Sequence, residues 1–440
     1  MAASYKIATV GIWHLGEIYS AGLAGLGHEV IGVSDDKSVI DGLLKNIPPL
    51  PEPQLEELIA KNQSSGRLRY STDFSEIKKC GVFWITFDTP VDDNDESDLS
   101  PIFEAIKKSA PYLQDDVLFV VSSQVPVGTG KKIKKLIKEI RPNLDFHYVY
   151  TPENLRLGEA VKCFFEPSRV VVGADNNEGF RRIGDIFSGI RAEILEMSPA
   201  SAEMAKHALN SFLATSISFI NDIADVCEKN GADVLDVIKA LKLDPRIGPK
   251  AFLDAGLGFS GGTLGRDLKS LIRASQEAQL KLPVIESALQ KNNDRPIVIV
   301  EKLNSLLGGL NKKIIAIFGL TYKTGTRTLR RSRSLEIAKL LSSRGAMLHF
   351  YDPHVLKEEI PNIKNSVIFN DPYKAAEGID ALIFITPWPE FKKLHFGLLS
   401  EKTKINAVLF DTSNFLYNEA AVIKDAGFHY LGIGRPTNGS

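Results

Sequence analysis

Cysteine is scarce in this chain. Only Cys80, Cys163 and Cys227 occur in 440 residues. Few, odd in number and far apart, they indicate neither a disulfide framework nor a zinc site, so no metal is expected and a reducing cytoplasm suits the chain. Long apolar runs are missing as well. None approaches the roughly 18 residues of a membrane span, which argues against a membrane partner. An excess of one charge is also lacking, since 53 basic and 54 acidic side chains leave a net charge of −1. That balance offers no polyanion-binding surface, so nucleic acid is not an expected partner. The first strand pattern begins at Tyr5, so no signal peptide is expected ahead of it.

What is present is length for two or three cores. Short apolar runs alternate with helical patterns at both ends. Tyr5 to Val10, Glu29 to Val33, Val82 to Thr86 and Val117 to Ser122 read as buried strands, with a helix at Gly16 to Leu26. The rhythm returns at Lys313 to Phe318, Met347 to Tyr351, Ala381 to Thr386 and Val408 to Asp411, with a helix at Ser334 to Ser343. Such βαβ alternation predicts an α/β chain with two Rossmann-like, doubly wound parallel sheets. Between them, from about Ala200 to Asn230, the pattern is helical. Leu209, Phe212, Leu213, Ser216, Phe219, Ile220, Ile223 and Cys227 recur near a 3.5-residue period. A buried core helix would give this stripe, and so would a long helix that joins the domains and pairs with its copy in a dimer; the length of the segment favours the second.

The first strand is followed by Gly11-Ile12-Trp13-His14-Leu15-Gly16. A dinucleotide-binding turn wants Gly-x-Gly-x-x-Gly, with the first glycine for the turn, the second for close approach of the pyrophosphate and the third for helix packing. Gly11 and Gly16 suit the outer roles, while Trp13 stands at the second. The free amides of the helix start, around His14 and Leu15, still offer an anion site. The second strand ends Val33-Ser34-Asp35-Asp36. Either acid could bond an adenosine ribose, and both would repel a 2′-phosphate, which favours NAD over NADP.

Distant segments, taken together, resemble the UDP-glucose/GDP-mannose dehydrogenase family over nearly the whole length. The carriers are Asp88-Thr89-Pro90, Ser123-Gln124-Val125-Pro126-Val127-Gly128-Thr129, Thr151-Pro152-Glu153-Asn154-Leu155-Arg156-Leu157-Gly158, Glu203-Met204-Ala205-Lys206 with Asn210, Gly256 through Asp267, and Gly319-Leu320-Thr321-Tyr322-Lys323 with Arg330 and Ser332. The resemblance implies an NAD-binding domain over residues 1–198, a central helical and dimerisation domain with the active-site loop over 199–305, and a nucleotide-sugar (UDP) domain over 306–440. It also implies a homodimer through the long helix. The implied reaction is NAD-dependent oxidation of the C6 alcohol of a nucleotide sugar, through an aldehyde captured by a thiol.

Residue roles follow from the same resemblance. Lys206 and Asn210, four apart on one helix face, would stabilise a developing alkoxide. Glu153 and Asp267 would hold a water and move protons. Thr89, Ser123 and Arg330 would join Gly11, Trp13, His14, Leu15, Gly16, Asp35 and Asp36 at the cofactor. Leu155, Arg156, Phe252, Gly258 and Lys323 would surround the nucleotide sugar, and Arg246 would reach the neighbouring subunit's site. The chain departs from the family pattern at several of these places. Thr263 holds the position of the family cysteine, and a hydroxyl is a weak nucleophile without an adjacent base. Gln124 replaces a threonine, Ser413 an arginine, and Arg327 and Thr328 two aspartates.

Three readings compete. The leading one is a nucleotide-sugar dehydrogenase of the UDP-glucose 6-dehydrogenase type, stopping at the aldehyde or continuing to the uronate. Trp13 and Thr263 suggest a non-catalytic nucleotide-sugar-binding paralogue, against which stand the retained Lys206, Asn210, Glu153 and Asp267. Another enzyme of the hydroxy-acid dehydrogenase superfamily would share the Lys-x-x-x-Asn element, but not the second Rossmann-like unit with Lys323.

Overall fold

The near-continuous apolar strands of the N-terminal half form one sheet covered on both faces, as parallel strands require. The computed structural model describes residues 4–92, 96–260 and 262–436. It divides into two compact units that meet at Leu209 and Asn210. The first unit holds strands β1 (Lys6–Val10), β2 (Glu29–Val33), β3 (Leu68–Ser71), β4 (Val82–Ile85), β5 (Val117–Val121), β6 (Phe146–Tyr150), β7 (Val170–Ala174) and β8 (Ile194–Met197). Their spatial order is β3-β2-β1-β4-β5-β6-β7-β8. Every residue of β4, β5 and β7 is buried.

One departure from the expected parallel sheet lies at the far edge. β7 runs antiparallel to β6, with Tyr150 opposite Gly173, and β8 then pairs parallel with β7. Strand direction there is set by a connection, residues 151–169, that holds only the short helix Ala160–Phe165. Gly173 lets the chain that follows β8 pack against β7, since a Cβ on it would lie 2.7 Å from both Ala202 Cβ and Pro199 Cα.

The second unit holds β9 (Ile314–Phe318), β10 (Met347–Tyr351), β11 (Ser366–Ile368), β12 (Ala381–Phe384), β13 (Val408–Asp411) and β14 (His429–Gly432). Their order is β11-β10-β9-β12-β13-β14, all parallel. Both sheets reverse strand order beside their first strand, at β1/β4 and at β9/β12. Both place a left-handed glycine there, Gly11 at φ +97 and Gly319 at φ +85. Each approaches the backbone after the neighbouring strand. A Cβ on Gly11 would lie 2.8 Å from Phe87 N, and one on Gly319 would lie 2.6 Å from Thr386 N.

The central helix runs from Pro199 to Asn230, matching the helical stripe of the sequence and crossing the boundary of the units. The stripe does not share one environment. Ile220 and Cys227 are buried, Leu209, Leu213, Ser216 and Ile223 are half-buried, and Phe212 and Phe219 are exposed. Among the described residues no helix is long and apolar enough to cross a membrane. The three cysteines are unpaired.

Candidate active site

In the first unit a cleft of about 290 Å³ opens at the reversal point, lined among others by Gly11, Trp13, Asp35, Phe87, Asp88 and Lys108. Open α/β sheets gather ligands there. Gly16 packs its helix (His14–Gly25) on the turn, and a Cβ would lie 2.2 Å from Gly11 O. Trp13 precedes that helix, half exposed, and provides no side-chain cap. Asp35 faces the cleft and is paired with Lys108. Asp36 instead caps the next helix, accepting from Ser38 N at 2.9 Å and Val39 N at 3.2 Å. His14 Nε2 lies 2.8 Å from Glu52 Oε1. That carboxylate also accepts from Gly158 N and Ala160 N, and so ties the first helix to the segment after Glu153. Thr89 donates to Gln124 O at 2.8 Å, and Ser123 is buried beside it in sequence. Leu15 is buried, and its N–H donates to Asp88 Oδ2 at 2.9 Å.

The turn glycines, the apolar wall of Val10, Ile12, Val33 and Ala105, and the Asp35 carboxylate at the end of β2 fit an adenine nucleotide. Asp35 would take the ribose hydroxyls. Asp88 is less accommodating, because it brings a carboxylate to the helix start.

Glu17, in the first turn of the same helix, is fully buried. Burial pushes its carboxyl up to about 9, with the Asp88 and Glu52 charges adding to the rise and the Leu50 amide opposing it. The folded protein therefore holds Glu17 neutral at pH 7, while the unfolded chain ionises above the ordinary value of 4.5. This contribution to stability is complete below that value and drains away as pH rises towards 9. The deficit at pH 7 is roughly 3 kcal/mol. Glu17→Gln should raise the melting temperature at pH 8 by several degrees and change it little at pH 4.5. Melting curves that shift equally at both pH values would contradict the assignment.

The central helix is docked in the first unit by two side chains that flank Lys206. Glu203 accepts from Gly128 N at 2.6 Å and Gly130 N at 2.8 Å, at the start of the helix Thr129–Ile140. Burial raises its carboxyl, and these amides oppose the rise. His207 Nε2 lies 2.9 Å from Val125 O. Lys206 is thereby held inward, 8% exposed, with Nζ donating to Glu153 O at 2.5 Å and to Glu153 Oε1 at 3.2 Å. Glu153 Oε2 accepts from Leu155 N at 2.7 Å. Arg156 is exposed, 3.4 Å from Glu159. Sequence reasoning passed over the role of Glu203, although it stands in the quoted motif.

In the second unit Asn210 donates to Asp267, and both are buried. Asp267 lies in the first turn of the helix Leu264–Glu277, and Thr263 precedes that helix, exposed and without a side-chain cap bond. Gly261, in the same loop, lies outside the described residues. The segment Gly256 to Ser260 is held from within. Asn221 accepts from Gly256 N at 2.9 Å, and Asn292 Oδ1 accepts from Phe259 N at 2.7 Å. Arg295 donates to Gly256 O at 3.0 Å and pairs with Asp225 at 2.8 Å. Gly258, at φ +82, has no room for a side chain, because a Cβ would sit 2.2 Å from Asn292 Oδ1. Pro296 lies inside the helix Pro283–Leu306. Lacking an N–H, it leaves the Asn292 carbonyl free of its helical donor, and Arg333 donates there at 3.2 Å and to Phe259 O at 3.1 Å. None of Asn221, Asn292, Arg295 or Arg333 was singled out from sequence; the glycines they support were the available signal. Phe252 is half exposed. Lys323 is exposed past the end of β9 with Nζ 5.7 Å from the Tyr322 ring centroid. Arg330 is exposed nearby in sequence. Arg246 is exposed and folds back on Asp244 at 2.7 Å.

Three domain models of one family match the chain. They are described as the NAD binding, central and UDP binding domains of the UDP-glucose/GDP-mannose dehydrogenase family, over residues 5–191, 200–294 and 316–418. A UDP-glucose 6-dehydrogenase of Rhizobium meliloti is 36% identical over 98% of this chain and 100% of its own. The UDP-glucose 6-dehydrogenase TuaD of Bacillus subtilis is 34% identical over 98% and 93%. Among solved structures, a UDP-glucose dehydrogenase from Pyrobaculum islandicum superposes with a TM-score of 0.87 at 29% identity, covering 99% of this chain and 98% of its own. The reversal-point glycines, the cleft and the matched domains lead to one conclusion: the chain belongs to the UDP-glucose/GDP-mannose dehydrogenase family and is an NAD-dependent nucleotide-sugar oxidoreductase acting on a CH–OH group.

Proposed function

We propose that the chain oxidises the C6 alcohol of UDP-glucose, or of a close UDP-sugar, and releases the aldehyde after one hydride transfer. The observation that carries the stopping point is Thr263, an exposed hydroxyl at the position where the resemblance places the thiol, since a hydroxyl stays protonated at neutral pH where a thiol is partly ionised. The other cysteines offer no substitute. Cys80 and Cys227 are buried, and burial pushes the Cys80 thiol up to about 11. Cys163 sits on the short helix Ala160–Phe165, half-buried against Arg156. The names of the curated relatives support UDP-glucose as the sugar nucleotide.

NAD supplies the hydride acceptor. The chain's part is to take the hydroxyl proton and to steady the charge left behind. Asp267 is a base available for that proton, and its Asn210 partner keeps the carboxylate oriented. Lys206, one helical turn before Asn210, supplies the positive charge for the alkoxide oxygen. Glu153 fixes the ammonium by two hydrogen bonds. Residues 1–198 then carry the cofactor, 199–305 the reacting groups and 306–440 the nucleotide, with Leu155, Arg156, Phe252, Gly258 and Lys323 assigned to the substrate. A second reading keeps Glu153 and Asp267 as proton carriers for a hydrated aldehyde, which would lose a second hydride without any thiol. NADH formed per sugar consumed, with mass spectrometry of the product, separates the two. One equivalent and an aldehyde are expected; two equivalents and a uronic acid, unchanged in Thr263→Ala, would overturn the first reading.

The same proposal includes a symmetric homodimer in a reducing cytoplasm. Phe212, Phe219 and Val226 repeat every seven residues on the central helix, 70%, 47% and 58% exposed. A seam of that period suits a second copy of the same helix, and Arg246 would serve the partner's site. Sedimentation should give a dimer at micromolar concentration and a monomer for Phe212→Glu with Phe219→Glu. A wild-type monomer of full activity would remove the dimer from the proposal.

A further inference from the structure

The first four amides of a helix have no partner within it, and in a dinucleotide-binding turn they receive the cofactor's pyrophosphate. In this chain one of those amides is already engaged. Leu15 is the second residue of the helix His14–Gly25, and its N–H donates to the Asp88 carboxylate at 2.9 Å. Asp88 comes from the loop after β4, on the other side of the strand reversal, and lines the same cleft as Gly11, Trp13 and Asp35. The indole of Trp13 stands where a bare glycine would admit the phosphates closely. Glu17, one turn into the helix, is held neutral by burial, so it adds no negative charge to that of Asp88.

We infer that Asp88 acts as an internal anion at the pyrophosphate seat, so that NAD binds only by displacing its carboxylate from the Leu15 amide. The adenosine end, facing Asp35 and the apolar wall, is untouched by this competition. Asp88 is then an affinity-determining residue for the cofactor of this enzyme, and it weakens the site selectively for the charged middle of the dinucleotide.

The inference separates the parts of the ligand. Isothermal titration of the wild-type protein with adenosine, ADP and NAD should find ADP binding no tighter than adenosine, because the added phosphates meet a carboxylate. Asp88→Gly should lower the Kd for NAD and for ADP by about tenfold or more, and leave adenosine unchanged. Asp88→Asn, which keeps an oxygen for Leu15 N–H but loses the charge, should fall between. Wild-type protein that binds ADP tenfold tighter than adenosine would overturn the inference, whether or not the variants fold. So would folded Asp88→Gly protein, checked by its circular dichroism melt, with an unchanged or weaker affinity for NAD. An equal gain for adenosine and NAD would also overturn it, since relief of steric crowding does not distinguish the phosphates.

Discussion

Lys206→Ala should lower turnover by roughly a hundredfold or more, while the Kd for NAD and the melting temperature stay close to wild type. A preorganised donor aimed at developing negative charge in a water-poor site is worth that much. The fold should survive because Glu153 keeps a second partner in Leu155 N, and because Glu203 and His207 continue to dock the helix. Lys206→Arg should not restore the rate, since a planar guanidinium cannot repeat the point contacts of an ammonium with one backbone and one side-chain oxygen of Glu153. Steady-state kinetics decide the matter. Turnover within a few-fold of wild type would take Lys206 out of the chemistry and leave it as an anchor for Glu153.

Gly258→Ala should be nearly as damaging by a different route. The methyl would fall on Asn292 Oδ1, the oxygen that holds Phe259 N, and the φ of +82 penalises any L side chain. The loop must shift, and a displacement of about 1 Å can cost a hundredfold in rate. Activity at a fixed UDP-glucose concentration should drop by about that factor, with the KM for the sugar rising. The Kd for NAD should hold, because the cofactor cleft belongs to the first unit. Parallel loss of NAD affinity would instead mean that the substitution damages the fold as a whole.

Much of the architecture was legible in the residues. Glu29–Val33, Met347–Tyr351 and Val408–Asp411 end where the sequence pattern ends them, because the apolar run in each gives way to polar residues, Ser34-Asp35, Asp352 and Asp411-Thr412. The central helix was legible for a similar reason, since its period persists over many turns. The direction of β7 was not. Val170–Ala174 reads as a strand either way, and only the connection before it decides which way it runs. Other apolar segments, such as Phe146–Tyr150 and His429–Gly432, carry the same signal but were not read as strands.

The site divides along the same line. Gly11 and Gly16 were marked as candidates by the glycine motif, and Lys206, Asn210 and Asp267 by the family resemblance. Asp35 and Asp36 could not be told apart in the sequence, and the capping bonds to Ser38 and Val39 separate them. Asp88, Glu203 and Asn292 were missed in their roles because each acts on a backbone amide distant in sequence. Asp88 meets Leu15 across 73 residues and Glu203 meets Gly130 across 73. No local pattern records such a pairing. Asp88, which follows the apolar run Val82 to Phe87, leaves a trace as a charge at the end of that run, whereas Asn292 sits among Gln290, Lys291, Asn293 and Asp294 and leaves none.

Pro296 has a consequence for how this chain can change. Alanine in the middle of a helix is favoured over proline by about 3 kcal/mol, so the helix Pro283–Leu306 carries a standing local instability. Replacing the proline would close the hydrogen-bond ladder and draw the Asn292 carbonyl towards its own helix. Arg333, which also grips Phe259 O, would then share or lose one of its two acceptors. A search for heat-resistant variants would arrive at this position early, and the tougher protein would grip its glycine loop less firmly. Thermal robustness and substrate positioning are therefore opposed at a single residue of the helix Pro283–Leu306.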